Sequence, residues 1–358
     1  MTFTSRFYLF ITLLLSAPPL YALESYINME GFVYSAPVPY KAFVGDWSSD
    51  FQTGDSALGY SWLEAGVHNG HWGIALVQQQ YAQVRFSNDT AELYYLTENK
   101  LPITPNRTYD IDLMVNSFSS EGVRLFHRHQ PFPTLSLQMG ANILKGDELQ
   151  VGRIHGNITS INDRDYNFDN IQLDYHYSED KLFNNNPEAP QGNGLALDFA
   201  AHWKINTSNE LSVNLRNLGG FIKWKQSPYT IGTIESDNKT YDSEGNVTVS
   251  PSLNGWNLSE NYRQQLPLLW QGEFLHHYNL QSRLHAHIMG SEVEDFYSLG
   301  YSFRIRGNQW LKLLYTLNSN SLITSYQNNW LNLQLQFDPG SLSDSHTLGL
   351  AVQAHYGF

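Results

Sequence analysis

From Gly59 onward, segments of about ten residues alternate strictly between apolar and polar side chains, and this pattern repeats along the chain with turn residues between. Tyr297, Leu299, Tyr301, Phe303 and Ile305 share one face of a strand, while Ser298, Gly300, Ser302, Arg304 and Arg306 share the other. The same holds for Leu331, Leu333, Leu335 and Phe337 against Asn332, Gln334 and Gln336. Leu195, Leu197, Phe199, Ala201 and Trp203 oppose Ala196, Asp198, Ala200, His202 and Lys204, and Ile171, Leu173, Tyr175 and Tyr177 oppose Gln172, Asp174, His176 and Ser178. Arginines on the second face rule out a dry interior on that side. Period-two segments of this length are the length a tilted strand needs to cross a bilayer. A soluble sandwich also alternates, with one face on a core and one in water.

The N-terminus separates the two. Met1 to Ala22 carries Arg6 as its one charge, then the apolar run Phe7 to Leu15 and a breaking Pro18-Pro19. A nine-residue run falls short of the roughly 20 that a spanning helix needs, so residues 1–22 read as a secretory signal peptide for Sec export, cleaved after Ala22. With no cysteine in the chain, disulfides, thiol nucleophiles and cysteine zinc sites are excluded. A net charge of −13 argues against nucleic acid. The 9 Trp, 22 Tyr and 19 Phe sit beside a mean hydropathy of −0.38. A barrel with an apolar outside, polar lumen and aromatic girdles reconciles these values. Because nothing after residue 22 reads as a transmembrane helix, a membrane location requires a closed barrel.

The expected fold is therefore all-β, a single antiparallel transmembrane barrel of about 14 strands, with 12 or 16 as alternatives. Asn69-Gly70, Lys145-Gly146-Asp147, Thr207 to Glu210 and Arg306-Gly307-Asn308 read as hairpin turns. Residues 23–56 read as an irregular or plug-like segment before a barrel over 57–358, residues 87–106 as a loop with a short helix, and 227–264 as a long outer loop. His71-Trp72 and Trp270 read as interface aromatics.

Two stretches carry a resemblance. The closing strand Thr347 to Phe358, TLGLAVQAHYGF, resembles the last strand of bacterial outer-membrane barrels, which implies that Tyr356 and Phe358 form a signal for the barrel-assembly machinery. Gly194 to Gly220, GLALDFAAHWKINTSNELSVNLRNLGG, resembles a hairpin of the FadL-like and conjugation-protein TraF-like outer-membrane barrels. That resemblance implies about 14 strands and an N-terminal plug, for which 23–56 is the candidate, although no hydrophobic hatch sequence is seen there.

Alternation turns Arg124, Arg128, Asp174, Asp198, Lys204, Arg216, Arg304 and Arg306 into the lumen, together with Asp110 and Asp112. Such charges line a selective aqueous passage or pair across a closed lumen. His285 and His287 share a strand face, the minimum for a metal, but no carboxylate on that strand supports them. Asp174 with His176 and Asp198 with His202 share a face, as acid–base chemistry requires, but so does any polar pair an even number of residues apart. No cofactor is expected. The leading expectation is an outer-membrane channel or transporter of a small solute, in contact with outer-membrane lipid. A closed-lumen envelope-assembly partner binding through its outer loop and an outer-membrane enzyme are the alternatives.

Overall fold

The computed structural model describes residues 23–180, 182, 187–241 and 247–357; the signal-peptide reading and Phe358 lie outside them. Sixteen strands follow in order: β1 (Glu24–Ser35), β2 (Ser56–His68), β3 (Trp72–Phe86), β4 (Thr108–Phe132), β5 (Leu135–Ser160), β6 (Tyr166–Tyr177), β7 (Gln191–Lys204), β8 (Asn209–Tyr241), β9 (Val247–Gln265), β10 (Leu269–Asn279), β11 (Ser282–Gly290), β12 (Asp295–Arg306), β13 (Gln309–Thr316), β14 (Ser321–Gln327), β15 (Leu331–Phe337) and β16 (Thr347–Gly357). They make a closed antiparallel barrel of 14 staves. The two counts agree because two staves are broken. The first half of β5 pairs with β7 and its second half with β6, so β6 and β7 form one stave interrupted between Tyr177 and Gln191. Likewise β8 pairs with β10 near its start and with β9 farther along, and that stave breaks at Leu266–Leu268.

β1 closes the ring against β16, with Glu24 opposite Gly357. Both described termini therefore lie at one end of the barrel, the terminal end. Its turns are short, such as 69–71 and 307–308, whereas the far-end connections include 36–55 and 87–107.

Two segments differ from the sequence expectation. Residues 24–35 are a wall strand rather than a plug. Both faces of β1 carry apolar side chains, with Tyr26, Phe32 and Tyr34 inward and Ile27, Met29 and Val33 outward, which hides the alternation. Residues 227–264 are not a loop but the upper part of the β8–β9 hairpin, paired from Phe221 opposite Gln265 upward. Its polar composition follows from standing beyond the apolar belt, where both faces of a strand meet water or polar neighbours.

Outward residues form that belt. On β12 the exposed run Tyr297 to Ile305 spans about 26 Å along the strand, or about 20 Å of height after a tilt of roughly 40°. Leu195, Leu197, Leu311, Leu313 and Leu333 continue it around the wall, and Trp72 lies exposed near the terminal end. Above the belt, the outer faces of β4 to β6 are again apolar through Tyr109, Ile111, Ile158, Leu173 and Tyr175, and they are buried. The cover is the 87–107 connection, whose helix α2 (Asn88–Glu98) contributes Leu93, with Ile103 following it. Ser87 caps α2 by accepting from the Thr90 N–H at 3.0 Å. A shorter helix, α1 (Tyr40–Phe43), holds Ala42 in a second outer cluster with Trp47 and Phe86.

Candidate functional site

The inward faces of the staves meet in the middle of the barrel. Phe32, Leu58, Trp62, Phe118, Leu149, Trp224, Leu266 and Phe296 are all buried in one cluster, and all except Leu266 come from wall strands. Contacts bridge opposite walls. The Phe32 and Phe296 rings lie 5.0 Å apart although β1 and β12 are five staves from each other. Gln264 accepts from Trp224 Nε1 at 3.0 Å and donates to Asn116 Oδ1 at 2.7 Å, joining β9 to β4. The lumen is pinched, and a septum of packed side chains closes it at mid-height.

Local backbone irregularity produces the pinch. Between Leu215 and Phe221, β8 carries two residues more than β7, since Leu215 faces Phe199, Leu218 faces Leu197 and Phe221 faces Leu195. Asn217 and Gly219 absorb them at φ 62° and 59°, in the left-handed region open to Asn and Gly. Asn217 Nδ2 then reaches across to Gln79 Oε1 at 3.3 Å. On the adjoining stave the Leu266 N–H donates to Gly220 O at 2.9 Å, and this brings Leu266 into the septum.

On the terminal side of the septum lies a cavity of about 430 Å³ lined by Trp62, Glu64, Arg124, Arg128, Asp198 and Arg216 among others. Most of its charges are tightly partnered, as buried ions must be. Arg124 bonds Glu64 at 3.0 Å and Asp198 at 3.0 Å. Asp198 also accepts from Asn142 Nδ2 at 2.7 Å and from the Asn217 N–H at 3.2 Å. The Tyr26 hydroxyl and Trp62 Nε1 donate to Glu64. Arg216 pairs with Glu30 at 2.8 Å, and Glu30 accepts from Tyr60 at 2.8 Å and Gln271 at 2.5 Å.

Of the residues singled out by alternation, Arg124, Arg128, Asp198 and Arg216 thus converge on one cavity. Asp174 faces inward on the far side of the septum, where Asp112 is bonded to Arg153 at 2.7 Å. Lys204 lies exposed at the terminal end of β7. Arg304 lies over Trp310 at 4.9 Å beside the β12–β13 turn, with Arg306 exposed next to it. His285 is held by Glu273 at 2.8 Å and Ser302 at 2.8 Å. Among the described residues no group of three metal-ligating side chains gathers around His285 and His287.

The acid–base pairs read from spacing do not form. The His176 ring stacks on Tyr229 and Tyr262, and its Nε2 faces Glu260 at 3.5 Å. Asp198 is committed to Arg124, while His202 contacts Ser212 at 2.9 Å and Glu210 at 3.2 Å. Ser212 sits in regular pairing with both β7 and β10, so its backbone is spent on the sheet rather than turned toward a substrate oxyanion. Glu30, Glu64, Trp62, Trp224 and Phe296 escape sequence reasoning. The available signal was a carboxylate in mid-strand on the same parity as large aromatics.

A closed antiparallel barrel with an apolar outer belt and polar groups inside is the architecture of a transmembrane β-barrel. No family model matches the chain, and no curated protein matches it. Similar solved structures include the TodX deltaS2S3 mutant monoaromatic hydrocarbon channel, at 9% identity and a TM-score of 0.44 over 96% of this chain and 93% of that one. Others are the Ralstonia pickettii toluene transporter TbuX, at 9%, 0.33, 96% and 92%, and a Pseudomonas aeruginosa FadL homologue, at 9%, 0.34, 94% and 87%.

Proposed function

We propose that this chain is a bacterial outer-membrane barrel that passes a small polar solute through a charge-lined lumen, shut at mid-height in the state described. The carrying observation is the cavity of about 430 Å³ that rises between paired charges to a septum built from side chains. Such a septum opens by rotamer and strand motion, without withdrawal of a separate plug domain. The short turns at the terminal end and longer connections at the other support a periplasmic terminal end and an extracellular far end.

Planar-bilayer recording tests the reading. The unaltered protein is expected to be shut or to open briefly, and the double variant Trp224→Ala with Phe296→Ala to conduct steadily. If both remain silent while folded, the lumen is not a passage. The second reading would then stand, an envelope partner that presents the tall β8–β9 hairpin, where Trp256 and Leu258 lie exposed.

A further inference from the structure

Three guanidinium groups line the terminal-side cavity, and they differ in their partners. Arg124 and Arg216 are bonded to buried carboxylates. Arg128 has no carboxylate within ion-pair distance among the described residues. Its Nε donates to Gln138 Oε1 at 2.8 Å, and its Nη1 lies 3.0 Å from His68 Nε2.

That second contact is a conflict. A neutral imidazole has a single acceptor nitrogen, yet Nδ1 faces the Gly70 N–H at 3.2 Å while Nε2 faces Arg128. Whichever nitrogen holds the proton, one of these two contacts sets N–H against N–H. The Glu24 carboxylate, 3.6 Å from His68 Nε2, is more than half exposed and too far for a good hydrogen bond. An anionic oxygen bridging Arg128 and a His68 ring protonated on Nε2, from beside the pair, would accept from both and leave Nδ1 free to accept from Gly70.

The rest of the lining narrows the ligand. Asn28, Asn214, Gln271, Gln353 and Ser136 supply neutral donors and acceptors, and Asn28 Oδ1 is buried with no partner. These groups suit the hydroxyls of a ligand, and the volume falls in the range of small-molecule sites. We propose that the cavity binds a small hydroxylated anion, its carboxylate or phosphate held by Arg128 and His68 and its hydroxyls by Asn28, Asn214, Gln271 and Gln353. The proposal rests on reading the cavity as solute-handling, but binding and conduction are measured separately.

The test is calorimetric titration of the full chain in detergent micelles with gluconate, glucose 6-phosphate and glucose. At least one anion should bind tenfold or more tightly than glucose, and the stronger of the two identifies the head group. Arg128→Gln should abolish that preference, and Arg128→Lys should restore part of it. Should Arg128→Gln fail to fold by circular dichroism, His68→Leu removes the second donor alone and should weaken the preference several-fold. Equal affinity for the three probes, no binding of any, or a preference untouched by these variants overturns the proposal. Binding without conductance overturns the channel and keeps the site; conductance without binding does the reverse.

Discussion

Replacing Arg124 by Met tests how the lumen's charges are balanced. Arg124, Glu64 and Asp198 have side chains exposed by only 8%, 7% and 4%, so water cannot take over the role of the lost guanidinium. The variant leaves two buried carboxylates, and stranding a buried charge in this way costs about 3–5 kcal/mol. Glu64 keeps Tyr26 and Trp62 as donors, and Asp198 keeps Asn142 and the Asn217 N–H, so the cost should stay within that range rather than double. At about 1.36 kcal/mol per decade, the unfolding equilibrium moves by roughly two to four decades. Adding Glu64→Gln and Asp198→Asn removes the stranded charge and should recover most of the loss. Reversible urea unfolding in lipid vesicles, followed by tryptophan fluorescence, reads both variants. A single variant within about 1 kcal/mol of the unaltered protein, or a triple variant as unstable as the single, would refute the reasoning.

Other sites give independent tests. A Cβ at Gly73 would lie 2.1 Å from Phe126 Cζ, so Gly73→Ala should lower stability in the same urea assay by about 1–3 kcal/mol, with Phe126→Leu recovering part of it. Ser87→Ala removes the α2 cap and should cost about 1 kcal/mol, seen as faster amide exchange confined to α2. Leu93→Asp places a charge beneath the outer cover; limited proteolysis should then cut residues 87–107 first while the barrel stays resistant.

The wall was legible where one face met lipid and the other met polar lumen. Tyr297 to Arg306 and Leu331 to Phe337 alternate in the structure as they do in the sequence, and the count of 14 staves follows from such segments. Reading failed where the environment stopped alternating. β1 carries aromatics on its inner face, where Phe32 feeds the septum, as well as aliphatics on its outer face, and β8–β9 is polar because it stands above the belt. The inward direction of Arg124, Asp198 and Arg216 was readable from parity, but their partners were not. Glu30 and Glu64 lie 186 and 60 residues from their arginines, and only the pinch brings the first pair together. The septum depends on two extra residues in β8, visible beforehand only as the Asn217 to Gly220 stretch.

The pairing of β1 with β16 has a consequence for how the molecule is made. Eleven residue pairs join the first described strand to the last, from Glu24 with Gly357 to Tyr34 with Thr347. Until β16 pairs with it, β1 presents an open hydrogen-bonding edge, a template for another chain. The loop this seam closes is nearly the whole described chain, so it carries the largest closure entropy of any pairing in the wall. A chain truncated before Thr347 would remain an open sheet, and a chaperone or assembly partner that shields an edge would find β1 waiting for it.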